Sequence, residues 1–233
     1  MEKKLDISAE NISGMFDSIA KKYDQMNHGM SLGVDRRWRR RFVRSLARSL
    51  TLESPMVLDL ACGTGDLTKA LAERGWPVTG LDISAEMMTV GKEKCRDLRP
   101  QPVFMQGSAE QIPFADDTFD AVTIAFGLRN FDHRAQCLAE IRRVLKPGGR
   151  LAVLEFAIPR NPIWRVLYLF YFKHSMRLAG RIIGQADAYG YLVDSVLSFP
   201  RYEALSREFE GAGFRHIHYT PYSGGIAVGY FAE

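Results

Sequence analysis

Residues 57–68 read VLDLACGTGDLT. The run VLDL has the character of a buried strand, a turn with glycines at positions 63 and 65 follows, and LTKALAERG then has helical spacing up to Gly75. A strand that enters a helix through a glycine turn is typical of the first unit of a doubly wound α/β sheet, in which ligands bind beyond the carboxyl ends of the strands. This stretch therefore predicts the fold class and the position of a ligand site.

The rest of the chain repeats the alternation of strand and helix. Further strands are predicted at PVTGLDI, PVFMQGSA, FDAVTIAFGL and RLAVLEF, and helices at residues 84–98, 133–145 and 202–211. Strands separated by helices of 10–15 residues indicate parallel, right-handed βαβ units. The last two runs, FRHIHYT and GGIAVGYFA, favour an antiparallel hairpin at the sheet edge. We expect a Rossmann-like α/β fold with a mostly parallel seven-stranded sheet and helices on both faces.

The sequence indicates one structural unit with two parts. Residues 1–50 read as helices, which we interpret as an N-terminal lid, and residues 51–233 form the main domain. An aromatic helical insert is expected at about residues 160–200, after Pro159.

Composition argues against several classes of protein. The chain has 233 residues, 46% of them hydrophobic, and a net charge of +4, which gives only a weak indication of a nucleic-acid partner. The three cysteines are odd in number and lack C-x-x-C spacing, so a reduced, cytoplasmic compartment is favoured over disulfides or zinc. The most apolar run, IWRVLYLFYF, is too short to span a bilayer. No metal is required.

Two ligands compete for the glycine turn. A dinucleotide site has the pattern G-x-G-x-x-G/A, but the third small position is Thr68, and Asp59 and Asp66 are poor neighbours for phosphate. S-adenosylmethionine carries an ammonium and a sulfonium, so it suits these carboxylates. Asp59 is placed to take the ammonium directly or through water, and Asp82 to accept both ribose hydroxyls. The sequence therefore favours S-adenosylmethionine over a nicotinamide cofactor.

The remaining cofactor contacts are expected from three segments. Gly63 and Gly65 let the backbone approach the methionine part of the cofactor. Ser108 and Ala109 would lie along the adenine, with Ile83 or Ile112 against its faces.

Beyond these motifs, the chain resembles a known family, the C-methyltransferases of menaquinone and ubiquinone biosynthesis (UbiE/MenG), over nearly its whole length. The residues that carry the resemblance are MFDSIAKKYDQMNHGMSLGVDRRW (residues 15–38), VLDLACGTGDLT, GLDIS, SAEQIPFADDTFDAVTIAFGLRNF, RRVLKPGGRLAVLEF, YLVDSVLSFP and GAGF followed by SGGIAVG. The resemblance implies a class I S-adenosylmethionine-dependent methyltransferase. The residues that match Thr64, Asp82, Ser108 and Ala109 bind the cofactor in that family.

The chain departs from the family pattern at a few positions. Ala125 replaces a usual serine, so that its cofactor contact is absent or made by the backbone. Asp35, Ala157 and Gly190 also differ, and the common histidine after the final glycine pair is missing. These last changes lie on the expected substrate side.

The resemblance implies methylation of a ring carbon of a polyprenylated quinol, with demethylmenaquinol as the first choice. A benzoquinol precursor of ubiquinone or another phenolic compound is the alternative. Arg129 and Asn130, after the fourth strand, are expected to stabilise the phenolate and to orient the ring oxygen or a water. Tyr23 and Asp24 are further catalytic candidates, Asp24 as a proton acceptor through water.

The implied substrate predicts transient contact with a membrane. The aromatic and basic insert could lie at a headgroup interface or pack as a core helix, and the arginine run RRWRRRFVR could attract anionic lipid or be a solvated face. We therefore expect a cytoplasmic protein at the inner face of the plasma membrane. Nucleic acid is not an expected partner, because no stacking aromatic motif interleaves with the basic residues. A homodimer and an inactive binding scaffold stay open.

Overall fold

The structure, a computed structural model, describes residues 33–183 and 186–233 together with Gly14, Phe16, Asp17, Ala20, Tyr23, Asp24 and Ser31. Side chains within residues 177–179, 181–183 and 186–188 are outside the description. The greater part of the predicted N-terminal lid, including Ile12 and Ile19, therefore lies outside the described residues. The division of the chain at residue 50 stays a prediction.

The elements alternate as the sequence predicts. In chain order they are α1 (Val34–Ser49), β1 (Val57–Leu60), α2 (Asp66–Ala72), β2 (Val78–Asp82), α3 (Ala85–Cys95), β3 (Val103–Gln106), β4 (Phe119–Ala125), α4 (Arg134–Val144), β5 (Leu145–Phe156), α5 (Pro162–Ile183), α6 (Ala186–Ser198), α7 (Glu203–Gly211), β6 (His218–Tyr222) and β7 (Ala227–Ala232).

The strands form one sheet in the order β3-β2-β1-β4-β5-β7-β6. The pairs from β3 to β5 are parallel, and β7 pairs antiparallel with both β5 and β6. The predicted sheet and its antiparallel C-terminal hairpin are confirmed. Because β1 and β4 are neighbours, the chain leaves them in opposite directions, which opens a crevice at their carboxyl ends.

Helices cover both faces of the sheet, and the strands alternate between the two cores. Val122 and Ile124 of β4 pack in a cluster with α4 and α7, whereas Ala121 faces a second cluster with α1 and α2. Helix α1 contributes Trp38, Phe42 and Leu46 to that second cluster. These burial patterns show that α1 is an integral part of the domain core.

The segment after β4 differs from the prediction that the fourth strand runs to Leu128 and places Arg129 and Asn130 directly at its end. The strand ends at Ala125, Phe126 has a left-handed backbone (φ 59°), and Leu128–Asn130 form a 3₁₀ helix. Gly127 explains the turn, because a Cβ at this position would lie 2.7 Å from the Cβ of Ala61 in the loop after β1. The two loops therefore touch, and Arg129 and Asn130 are held on a short helix beside the glycine turn.

The insert is a pair of helices with a small core of its own. Helices α5 and α6 pack closely, since a Cβ on Gly180 would lie 2.8 Å from the Cβ of Tyr189. The hydroxyls of Tyr168 and Tyr189 are buried in this core and have no hydrogen-bond partner among the described residues. In the part of the chain that the structure describes, no helix has the length and apolar character needed to cross a membrane.

Replacing Phe42 with alanine tests the place of α1 in the core. Phe42 is fully buried against Phe231, so the Phe42→Ala variant should lose about 3–5 kcal/mol of unfolding free energy. Urea denaturation measures the change. Arg44→Ala, on the exposed side of the same helix, is the control and should change the value by less than about 0.5 kcal/mol. Equal effects would show that α1 does not pack as described.

Candidate active site

A cavity of about 730 Å³ lies at the carboxyl edge of the sheet. It runs from the glycine turn after β1, past the 3₁₀ helix after β4, to the aromatic side chains of α5 and α6. The volume is typical of a site for a cofactor or a drug-sized ligand. One end is lined by carboxylates and the other by aromatic and aliphatic side chains.

The glycine turn has the shape that the sequence predicts. Gly63 and Gly65 have positive φ angles of 52° and 74°. A Cβ on Gly65 would lie 3.1 Å from the Phe104 ring and 3.3 Å from the Cα of Gly91. Glycine at position 65 is therefore required both by the backbone and by the close approach of α3.

Asp82, at the end of β2, determines what the turn can bind. Its carboxylate accepts hydrogen bonds from the backbone N–H groups of Gly63 (2.7 Å) and Ser84 (2.9 Å). Burial raises its pKa, and these hydrogen bonds oppose the rise. The Gly63 N–H, which a dinucleotide site would offer to a phosphate, is thus already used by a carboxylate. A phosphate at this position would meet negative charge.

Asp59, in β1, is buried beneath the turn. Its two oxygens accept hydrogen bonds from the hydroxyls of Thr68 (2.6 Å) and Thr123 (2.9 Å). Burial raises its pKa to about 6, although both hydroxyls favour the ionised form. At neutral pH the group is an anion in an apolar setting, which suits a cationic ligand group.

Asp24 lies on the glycine loop rather than beside Arg129. Its carboxylate accepts a hydrogen bond from the Thr64 hydroxyl (2.5 Å) and pairs with Lys94 (2.6 Å). Lys94 also pairs with Asp66 (2.6 Å). Asp24 is not among the described residues that line the cavity. These contacts indicate that Asp24 holds the loop, and its role as a proton acceptor through water stays a prediction.

The other predicted cofactor residues meet at the same end of the cavity. Ile83, Ser108, Ala109 and Ala125 all line it. Of the two isoleucines that the sequence left open, Ile112 is part of the main core. Ile83 is therefore the one available to an adenine ring.

Arg129 is a buried cation at the middle of the cavity. Its Nη1 donates to the carbonyl of Phe126 and pairs with Glu155 at 3.4 Å, and its backbone N–H donates to the same carboxylate at 3.2 Å. The guanidinium also lies over the Phe156 ring, 5.6 Å from its centroid. Since arginine stays protonated in proteins, this arrangement fixes a positive charge beside the ligand.

Glu155 was not predicted as a site residue. Its side chain is 1% exposed, and burial raises its pKa against the opposing charge of Arg129. The sequence did carry a signal, because a glutamate inside the apolar strand RLAVLEF needs a buried partner. Removing either partner alone would leave an uncompensated buried charge.

Two tyrosines reach the same region. The Tyr191 hydroxyl, on α6, donates to the Oδ1 of Asn130 at 2.9 Å, which leaves the amide nitrogen of Asn130 to donate elsewhere. Burial raises the pKa of Tyr191 to about 12, so it stays a donor. Tyr23 lines the cavity and its catalytic role stays a prediction, whereas Tyr191 was not predicted as a site residue.

The geometry of the glycine turn and the two carboxylates beside it fit S-adenosylmethionine. Asp59 is a buried carboxylate and Asp82 a partly buried one at the cofactor end, and the first N–H of the turn is taken by Asp82 rather than left for a phosphate. When bound, S-adenosylmethionine supplies a methyl group on a positively charged sulfur. The fold and the site define a class I S-adenosylmethionine-dependent methyltransferase.

Comparison with known proteins identifies the family. The model of the ubiE/COQ5 methyltransferase family matches residues 4–233, and the chain belongs to this family. A ubiquinone/menaquinone biosynthesis C-methyltransferase UbiE of Geotalea uraniireducens is 41% identical over 99% of both chains. A demethylmenaquinone methyltransferase of Halalkalibacterium halodurans is 41% identical over 94% of this chain and 90% of that protein.

Solved structures support the fold independently. An S-adenosylmethionine-dependent methyltransferase from Thermotoga maritima superposes with a TM-score of 0.68 at 16% identity, covering 94% of this chain and 98% of that chain. Another from Aquifex aeolicus gives a TM-score of 0.56 at 20% identity, covering 81% and 87%. At these identities the similarity shows the fold.

The raised pKa of Asp59 gives a pH prediction for cofactor binding. The ligand ammonium needs the ionised carboxylate, so the affinity for S-adenosylmethionine should fall as the pH is lowered through about 6, by up to about tenfold per pH unit. Calorimetry between pH 5 and about 7.5, where an α-amino group stays protonated, measures this. Asp59→Asn should flatten the dependence. The same pH slope in that variant would assign the dependence to another group.

Proposed function

We propose that the protein transfers the methyl group of S-adenosylmethionine to a ring carbon of a polyprenylated quinol, with demethylmenaquinol as the substrate and menaquinol as the product. The observation that carries the proposal is the continuity of the cavity from the carboxylates at the glycine turn to the aromatic surface of α5 and α6. The charged end suits the cofactor, and the aromatic end suits a quinol ring with a long apolar tail. The names of the relatives from Geotalea and Halalkalibacterium support the same substrate class.

The ring carbon of a hydroquinone becomes a good nucleophile when a neighbouring hydroxyl loses its proton. That hydroxyl has a pKa near ~10, like tyrosine. In our proposal the O–H bond breaks, a water beside Arg129 takes the proton, and the electron pair moves through the oxygen into the ring. The fixed guanidinium then stabilises the phenolate that forms, which is where preorganised charge lowers a barrier most. After the ring carbon has gained the methyl group, the C–H bond at that carbon breaks and its proton passes to water, which restores the aromatic quinol.

Glu155 is assigned to holding the guanidinium. It contacts both the backbone N–H and the Nη1 of Arg129, so the cation cannot swing towards the cofactor end when the cavity is empty. The pair also lowers the cost of burying a charge at this depth. Glu155 is not among the described residues that line the cavity, so its proposed role is positioning.

Asn130 and Tyr23 are proposed to orient the ring. Because Tyr191 occupies the Oδ1 of Asn130, the amide N–H groups are available to the phenolate oxygen or to the water. Tyr23 lines the cavity next to Phe16, whose ring centroid lies 5.8 Å away. Positioning of this kind supplies roughly 7–11 kcal/mol when the reacting atoms are held in line.

We also propose that the protein docks transiently on the inner face of the plasma membrane through α5. Ile163, Val166, Leu167, Phe170 and Tyr171 are exposed at helical spacing, and Leu167 and Tyr171 line the cavity as well. Phe170 alone is 68% exposed. The exposed Arg165 and Lys173 beside this apolar face suit anionic headgroups. This face thus connects the cavity with the bilayer, in which the apolar tail of the quinol resides.

The activity is tested with methyl-labelled S-adenosylmethionine and two acceptors, demethylmenaquinol and a benzoquinol precursor of ubiquinone. Transfer to demethylmenaquinol supports the proposal, and faster transfer to the benzoquinol would favour the ubiquinone pathway. Binding of S-adenosylmethionine without transfer to either quinol would refute the proposed substrate class.

The role of Arg129 is tested by removing the buried pair together. The Arg129→Gln/Glu155→Gln variant leaves no unpaired charge, so it should fold and bind S-adenosylmethionine like the unmodified protein. Its kcat should fall roughly 100-fold or more. The matched control is Arg134→Gln/Glu208→Gln, an ion pair of 2.9 Å outside the cavity, which should keep its kcat. Normal turnover in the first variant would remove Arg129 from the mechanism.

The docking face is tested with Val166→Ser/Phe170→Ser, because both side chains are exposed and neither lines the cavity. The amount of this variant that sediments with phosphatidylglycerol–phosphatidylethanolamine vesicles should be at least about 10-fold lower than that of the unmodified protein. Turnover of a short-chain quinol in solution should stay unchanged. Val103→Ser/Met105→Ser, exposed on β3 at the far edge, is the control.

A homodimer through the same face is the competing outcome. It would appear as a dimer in light scattering that Val166→Ser/Phe170→Ser converts to a monomer. Vesicle binding would then be absent in the unmodified protein, and that result would overturn the proposed membrane contact.

A further inference from the structure

Arg39, on α1, is set apart from the other arginines of its helix. Arg36, Arg40 and Arg44 are exposed, whereas the Arg39 side chain is 11% exposed and lines the cavity at its cofactor end. Desolvating a guanidinium is costly unless it is paired. A solvated basic face therefore does not explain why the Arg39 side chain is buried.

The guanidinium is held from one side. A single atom, Nη1, pairs with Asp35 and with Asp66, the latter at 3.5 Å. The Phe126 ring lies under the guanidinium, 5.4 Å from its centroid. The Nε atom is buried and has no hydrogen-bond partner among the described residues. An unpaired buried donor of this kind is unfavourable in a native structure.

The unused edge has a specific chemistry. Arginine binds a carboxylate most strongly through two parallel N–H groups, and the edge formed by Nε and Nη2 is one of the two that can do so. Nη1 makes both ion pairs, and neither Nε nor Nη2 donates a hydrogen bond to a described residue.

Charge at the cofactor end points to the ligand group. Of the described residues that line the cavity, the cations are Arg39 and Arg129, and each is paired with a carboxylate and has a buried Nε without a partner among the described residues. The two differ in place, because Arg129 lies on the 3₁₀ helix after β4. Arg39 shares the cofactor end with Asp59, Gly63 and Asp66, and its charge acts on Asp59. The methionine end of S-adenosylmethionine carries an ammonium and a carboxylate side by side. Asp59 suits the first of these groups, and the second needs a cation.

We propose that Arg39 is a binding residue for the α-carboxylate of the methionine part of S-adenosylmethionine, through the Nε–Nη2 edge of its guanidinium. Helix α1 then supplies the cation for the carboxylate of the cofactor, whereas the loops of the sheet at this end carry carboxylates of their own. The product S-adenosylhomocysteine has the same carboxylate and is bound in the same way. The inference concerns the cofactor alone and does not depend on the quinol.

The test pairs a change in the protein with a change in the ligand. Calorimetry measures the binding of S-adenosylmethionine, of its decarboxylated analogue and of 5′-methylthioadenosine to the unmodified protein, to Arg39→Gln and to Arg40→Gln. Arg39→Gln should weaken S-adenosylmethionine roughly 10- to 100-fold and leave the other two ligands nearly unchanged. Arg40→Gln removes the same charge from the exposed side of α1 and should change none of the three.

A thermodynamic cycle decides the outcome. Equal losses for S-adenosylmethionine and its decarboxylated analogue in Arg39→Gln would mean that Arg39 does not contact the carboxylate, and the proposal would be wrong. Because Arg39→Gln removes the cation that pairs with the buried Asp35, Asp35→Asn/Arg39→Gln serves as a second variant, with 5′-methylthioadenosine binding as the measure of folding. The unmodified protein gives an independent result, since equal affinity for both forms of the cofactor would also refute the proposal.

Discussion

The site depends on the contact between the loops that follow β1 and β4. These strands are neighbours in the sheet, yet their chains leave in opposite directions, so the loops diverge from a common point. At that point Gly127 passes so close to Ala61 that a second methyl group has no room. Both flanking residues, Ala61 and Phe126, have positive φ angles of 53° and 59°, a conformation that costs energy outside glycine and is tolerated where packing determines it. This contact sets the glycine turn and the Arg129 helix in one fixed relation.

Around that contact, the molecule separates charge into two groups. Carboxylates collect under the glycine turn, where the buried Asp59 and the partly buried Asp82 accept hydrogen bonds and form no direct ion pair with a described residue. Arg129, on the loop after β4, lies across the crevice and is paired with the buried Glu155 of β5. In the proposed reaction, a cationic donor and an acceptor that becomes anionic are therefore each met by fixed charge of the opposite sign. Little reorganisation of the protein is needed as charge moves between them.

The sheet could be predicted well from the sequence because the pattern of buried residues in each strand is local. Runs such as VLDL and FDAVTI pack their side chains alternately on two cores, and their order follows from helices of ordinary length. The places of Gly63, Gly65 and Asp82 were also predictable, since they follow directly from the ends of β1 and β2. The contacts of Asp24 were not predictable in this way. Its partners, Thr64 and Lys94, lie 40 or more positions away in the chain, and no periodicity encodes such a contact. Tyr191 and Arg39 were missed likewise, because their helices looked like ordinary amphipathic surfaces.

Two phenols between α5 and α6 have a consequence for the stability of this helix pair. Each buried hydroxyl without a partner costs about 1–3 kcal/mol, and the structure gives neither Tyr168 nor Tyr189 a partner among its described residues. Such a cost lowers the free energy needed for local opening, so this helix pair is less firmly held than the same pair with both hydroxyls bonded. Both tyrosines also line the cavity. The apolar wall can therefore adjust its width more easily than the hydrogen-bonded carboxylates at the other end can move.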